Sequence, residues 1–186
     1  MNLRVEGKQK RAQATRAHIL QCFADLMARH DYDDISVAQI AASANVGKGT
    51  VLAHFSEKLA LAATQFADVL NICLARIEAE SEITNAAQLR TIFDPFFDLI
   101  RRDEVYIRLI VGEGQDICRQ LIEPAENQLF DALGKKWPHG NDNDVLDIVA
   151  LRAFLVHAAV AQRACERDEA VMAEFEALVA RYLFKK

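Results

Sequence analysis

The chain has 186 residues, 52% of them apolar and 26% charged, with only 7 Gly and 3 Pro. The apolar share excludes a disordered chain, the few breakers exclude collagen-like or low-complexity sequence and favour long helices, and the length suits one domain or two small ones. The net charge of −5 conceals an asymmetry of +2 over residues 1–58 against −7 over 59–186, so a basic end can sit on phosphate while an acidic body avoids it.

The chain opens on a basic arm, residues 1–14, whose Arg4, Lys8, Lys10 and Arg11 are opposed only by Glu6. Such an arm is either a solvated tail or a contact to DNA. From Thr15 to Arg29, Ile19, Leu20, Cys22, Phe23, Leu26 and Met27 recur at helical spacing until His30–Asp34 breaks the pattern. Ser36-Val37-Ala38-Gln39 then forms a Ser-x-x-Gln capping box that opens a short helix to Ala44. A tight break at Asn45-Val46-Gly47 leads to a third helix from Lys48 to Phe55, and a long fourth carries Leu59 to Ile77. Further helices are predicted over 86–102, 104–112, 115–136, 143–166 and 168–184, which makes about nine. Pro95 and Pro124 each either start a helix or kink one, and Lys135–Gly140 is the clearest late break, with caps for the next helix among Asn141–Asp144. No alternating strand pattern appears, so the fold is expected to be all-α.

Ser36 to Phe55 is a helix, a short turn and a second helix, the arrangement that lays a recognition helix in a DNA major groove. Ala41, Ala42 and Ala44 are small enough for close crossing, and Val37, Ile40, Val46 and Val51 bury the seam. Lys48, Gly49, Thr50, Ala53 and His54 remain outward; Lys48 can reach phosphate or a guanine edge, and Gly47 and Gly49 let backbone approach nucleic acid closely.

From Thr15 to Leu61 the sequence resembles the TetR family of bacterial transcriptional regulators, through Ile19-Leu20, Phe23, Tyr32, Ser36-Val37, Ile40-Ala41, Val46, Lys48-Gly49-Thr50, Phe55 and the Lys58 to Leu61 stretch. The resemblance implies an all-helical homodimer with a helix-turn-helix domain at 15–57 and a ligand-binding and dimerisation domain at 58–186. It implies that Ser36 and Val37 open the helix that meets phosphate, that Lys48, Gly49 and Thr50 enter the groove, that His54 lies at its edge, and that Lys58 holds phosphate. Lys10 and Arg11 of the arm complete the expected DNA-binding set. The sequence departs from the family where Gly47 replaces Ser or Thr, Leu52 replaces Tyr and Asp31 replaces Gly.

In the C-terminal part, Phe93, Phe96, Phe97, Tyr106, Arg108, Ile110, Cys118, Phe154, His157 and Gln162 either line a ligand cavity or form solid core. The last two helices read as a dimer interface built on Leu151, Leu155, Ala158, Ala159, Phe175, Leu178, Val179 and Tyr182, because a helix apolar on nearly all sides must be covered on both. Cys22, Cys73, Cys118 and Cys165 are far apart and read as small core residues. No metal, cofactor or catalytic constellation is read from the sequence, so the chain is not expected to be an enzyme. The longest uninterrupted apolar run, Leu59 to Ala63, is far short of a bilayer span, and the N-terminus lacks a signal-peptide core, so a cytoplasmic location away from membranes is expected. The expected partners are double-stranded DNA, a second copy of the chain and a small-molecule effector that releases a repressor from a palindromic operator. The alternative is a regulator that is ligand-independent or gated by a protein partner.

Overall fold

The computed structural model describes residues 3–137, 144–164 and 168–184; the loop and caps expected within 138–143, and Cys165, lie outside them. Ten α-helical segments follow in order: α1 (Leu3–Met27), α2 (Val37–Ser43), α3 (Lys48–His54), α4 (Lys58–Ala79), α5 (Ala86–Arg102), α6 (Val105–Ile110), α7 (Gln115–Ile117), α8 (Glu123–Lys136), α9 (Asp144–Ala164) and α10 (Asp168–Leu183). A 3₁₀ turn over Tyr32–Asp34 precedes α2, and a π-helical stretch over Cys118–Ile122 joins α7 to α8, so Gln115–Lys136 is one rod. Among the described residues the protein is all-helical, with a helix-turn-helix unit followed by a larger helical unit.

The chain divides into two compact units, Met1–Gln65 and Phe66–Lys186. The division falls within α4, eight residues beyond the boundary expected at 57/58, because the first turns of α4 bury Leu59, Ala60, Leu61, Ala62 and Ala63. In the N-terminal unit the core consists of Ile19, Phe23, Ile35, Ile40 and Val51, with Phe23 and Tyr32 edge-to-face at 6.4 Å. The residues expected to form an arm are helical from Leu3 onward. Between Lys8 and Thr15 nothing breaks a helix, and the Thr15 hydroxyl donates to the Arg11 carbonyl one turn back at 2.9 Å instead of capping a new start.

In the C-terminal unit α5 is the central amphipathic element: Leu89, Ile92, Phe93, Phe96, Phe97 and Ile100 recur at three- and four-residue spacing and are all buried. They pack against α9 and α10, where Leu151, Leu155, Ala158, Phe175 and Val179 are buried and Phe97 meets Phe175 at 5.3 Å. By length and composition α4 is apolar enough to cross a bilayer, which the short apolar runs within it do not suggest, but half of that window is buried in the protein.

The two prolines behave differently. Pro124 lies in the first turn of α8, where its missing N–H is least costly, and the preceding π turn closes through Glu123 N–H donating to the Cys118 carbonyl five residues back. Pro95 lies inside α5 and cannot donate to the Thr91 carbonyl. That carbonyl accepts instead from the Arg76 guanidinium of α4. Arg76→Ala should therefore lower stability by about 1 kcal/mol in urea unfolding, and by much less in a Pro95→Ala background, where the helix supplies its own donor. Equal losses in both backgrounds would show that Arg76 acts elsewhere.

Candidate nucleic-acid interface

The loop from α1 to α2 is held by Lys58, the first residue of α4. Its ammonium donates to the Tyr32 carbonyl at 2.7 Å and the Ile35 carbonyl at 2.9 Å, and lies 3.9 Å from the centre of the Tyr32 ring. A half-buried ammonium gains charge-assisted hydrogen bonds and the attraction of the ring face together. The resemblance implies a phosphate contact for this lysine; in the structure its ammonium clasps loop carbonyls. The next residue, Ser36, caps α2: Gln39 N–H donates to Ser36 Oγ at 3.2 Å while Ser36 N–H donates to Gln39 Oε1 at 2.8 Å. The capping box read from the sequence is thus present.

The turn between α2 and α3 is a Schellman closure. Val46 N–H donates to the Ala41 carbonyl at 2.9 Å and Asn45 N–H to the Ala42 carbonyl at 3.1 Å, with Asn45 left-handed at φ 52°. Gly47 has φ −75° and needs no left-handed backbone, and a Cβ there would meet only Thr50 Oγ1, at 3.9 Å. At Gly49 a Cβ would meet nothing within 4 Å. Neither glycine is required by the fold.

On α3, Val51 is buried, Thr50 and His54 are half-buried, and Lys48, Gly49, Leu52 and Ala53 form a continuous exposed face. Ser36 is exposed and Val37 half-buried; Ala42, expected in the helix crossing, faces outward, because it lies two positions from buried Ile40. Lys10 and Arg11 are exposed on α1. Arg16 is instead engaged within the unit, donating to Thr64 Oγ1 at 3.3 Å with its guanidinium carbon 4.5 Å above the Phe55 ring. Leu52, left without a role in the sequence reading, is 47% exposed on that face. An outward leucine on a short helix was the available signal.

The C-terminal unit holds a cavity of about 570 Å³ that is partly open to solvent. Of the residues proposed to line one, Phe93, Phe96, Ile110 and Cys118 are on its wall. The others are placed elsewhere. Phe97 and Tyr106 are in the packed core, Arg108 pairs with Glu113 at 3.1 Å, Phe154 faces Tyr182 at 6.0 Å, exposed His157 lies 3.7 Å from Glu174, and Gln162 donates to Asp168 at 2.7 Å. Phe66, Leu70, Ile122, Phe130 and Arg152, which the sequence pattern does not single out, also line the cavity and come from α4, the π-helical stretch, α8 and α9. Burial holds the Cys73 thiol at a pKa of about 11, well above its ordinary value, and keeps it protonated; desolvation also raises the Cys118 thiol.

The residues expected at a dimer interface are mostly internal. Leu151, Leu155, Ala158, Ala159, Phe175 and Val179 are buried within the single chain, Leu178 is half-buried, and Tyr182 is exposed. The apolar face that α9 leaves outward is the opposite one, Leu146, Val149, Ala153, Val156 and Val160, spaced by three and four residues.

Residues 19–64 match the family model described as bacterial regulatory proteins of the tetR family. The N-terminal unit thus carries a TetR-type DNA-binding domain. Among solved structures, a tetR-family transcriptional regulator from Streptomyces coelicolor superposes with a TM-score of 0.63 at 16% identity, over 91% of this chain and 82% of that one. The fatty acid degradation regulator FadR from Bacillus halodurans superposes with a TM-score of 0.61 at 16% identity, over 92% and 97%. These two likenesses are of fold. No curated protein matches the sequence.

Within the TetR-type domain, the departures at Gly47 and Leu52 both fall on or beside the exposed α3 face, and Asp31 lies immediately before the 3₁₀ turn that Lys58 clasps. Lys58→Ala should lower the stability of the protein by about 2 kcal/mol in urea unfolding, since it removes two charge-assisted hydrogen bonds from a half-buried loop. It should leave the salt dependence of DNA binding unchanged. Unaltered stability with a salt slope flatter by about one unit would make Lys58 a phosphate ligand instead.

Proposed function

We propose that this protein is a ligand-responsive repressor that binds a pseudo-palindromic operator as a homodimer and leaves it when a small molecule occupies the C-terminal cavity. The observation that carries the reading is that one chain holds both an exposed α3 face in a TetR-type domain and a cavity of about 570 Å³ with a largely apolar wall. It acts by binding, in the cytoplasm, where its DNA is.

In this reading α3 enters the major groove. Lys48 meets a guanine edge or phosphate, Gly49 admits close approach, Thr50 and His54 flank the contact, and Leu52 lies against a thymine methyl. Ser36 and Val37 at the start of α2 face the phosphate backbone, and Lys10 and Arg11 on α1 add non-specific charge attraction. The exposed α9 face is the dimer contact, because Leu146, Val149 and Val160 are 64%, 56% and 45% exposed and repeat as one side of a two-helix seam. Two-fold pairing then places two recognition helices one DNA turn, about 34 Å, apart. A ligand that binds better to a conformation with another spacing shifts the population away from DNA.

Selection of bound sequences from random duplexes should recover a two-fold-symmetric motif whose affinity falls steeply with salt; failure to enrich any motif at low salt would overturn the reading. On that motif Lys48→Ala should cost roughly 1–3 kcal/mol and relax preference at one position per half-site. An unchanged base preference would remove Lys48 from the base-reading set. Val149→Asp should convert the dimer to a monomer in sedimentation and sharply weaken DNA binding, whereas Leu151→Ala should act through stability. A dimer that survives Val149→Asp would move the contact off this face.

A further inference from the structure

The cavity wall also carries a statement about what fills it. Phe66, Phe93 and Phe96 meet edge-to-face, Phe66 with Phe96 at 6.0 Å and Phe93 with Phe96 at 6.4 Å, and all three line the space. Rings packed in this way present edges and faces to a further aromatic group. On the same wall Arg152 of α9 lies with its guanidinium carbon 4.2 Å above the Phe130 ring. Among the described residues its ion pair on this wall is long, Nη2 to Glu126 Oε1 at 3.6 Å, and its Nε–H, a buried atom of a side chain that is otherwise 42% exposed, has no acceptor. A stacked guanidinium is a planar, pre-oriented fork, and a buried donor atom with no protein acceptor favours a ligand that brings one.

Charge decides the rest. Glu126 is balanced by Arg152, and the Phe130 face that a cationic ligand would use is already covered by the guanidinium. Arg119 and Glu123 at the edge of the cavity are exposed and opposite in sign, so they set no preference. Resting on the ligand-responsive reading above, we infer that the effector is an aryl-bearing carboxylate, its ring against Phe66, Phe93 and Phe96 and its carboxylate on the Arg152 fork.

Thermal shift and calorimetry on the full chain test this with 3-phenylpropionate, 4-phenylbutyrate and 2-naphthylacetate, each beside its primary amide and the amine of the same skeleton. Carboxylates should raise the melting temperature and bind about tenfold or more tighter than their amides. Arg152→Gln should abolish that difference, and Arg152→Lys, which keeps the charge without the fork, should restore only part of it. Amides that match the acids in the wild-type protein, or an acid preference untouched by Arg152→Gln, would overturn the carboxylate assignment and leave ligand response standing. Tighter binding of the amines would overturn it in favour of Glu126 as the head-group partner. Failure of all three charge classes to bind would overturn the aryl assignment and leave the ligand-responsive reading standing for effectors of other chemistry.

Discussion

The architecture of the helix-turn-helix unit depends on Lys58. Its ammonium gathers the Tyr32 and Ile35 carbonyls at 2.7 and 2.9 Å and covers the Tyr32 ring, which also meets Phe23 edge-to-face. A short 3₁₀ turn has poor internal hydrogen-bond geometry and would otherwise be the loosest link between α1 and α2. Because Ile35 directly precedes the Ser36 cap, fixing its carbonyl also fixes where α2 begins. The Schellman turn then fixes where α3 begins. Position passes along the backbone from one half-buried cation to the exposed face of α3, and each step is a hydrogen bond to the main chain, indifferent to what the outward side chains are.

The C-terminal unit is organised around α5, and it shows what an interior gives up to hold a cavity. Eight apolar positions of α5 are buried, yet the Phe93 and Phe96 side also borders open space. Unfilled volume forfeits dispersion contacts that a packed core would make. The surrounding helices compensate with ties that cross between elements. Arg76 satisfies the carbonyl that Pro95 orphans, Lys136 donates to the Glu80 carbonyl at 2.7 Å, and Ile83 N–H donates to the Lys136 carbonyl at 2.9 Å. Such main-chain clasps hold helix ends in register without needing the centre to be full.

What was legible in the sequence divides along physical lines. Local hydrogen-bond grammar was readable: Ser36 and Gln39 announce their capping box, the Asn45-Val46-Gly47 break marks the turn, and the α5 stripe announces its buried side. Features set by distant partners were not. Thr15 looks like a helix start because the pattern before it is polar, but a polar helix needs no core to remain helical once a longer one continues it. On α9 both sides are apolar, and only the positions of α5 and α10 decide that Leu151 and Leu155 turn inward while Val149 and Val160 turn out. Lys58 reads as one more basic residue near a helix start; that it faces carbonyls follows from a loop more than twenty residues away. The cavity wall draws single residues from several helices, so its membership has no signature in any one stretch, and Arg152 is invisible until Phe130 is placed beneath it.

The empty surroundings of Gly49 have a consequence for how such a protein changes over time. A side chain introduced there would touch no other part of the fold, so its effect would be confined to whatever approaches α3 from outside. A helix also gains from losing a glycine, by about 0.5–1 kcal/mol. The position therefore separates two properties that mutations usually change together: if α3 enters the groove as proposed, a new recognition preference could be written at residue 49 with the scaffold left intact or strengthened, which would make it a natural point for a duplicated copy to diverge toward a different DNA sequence.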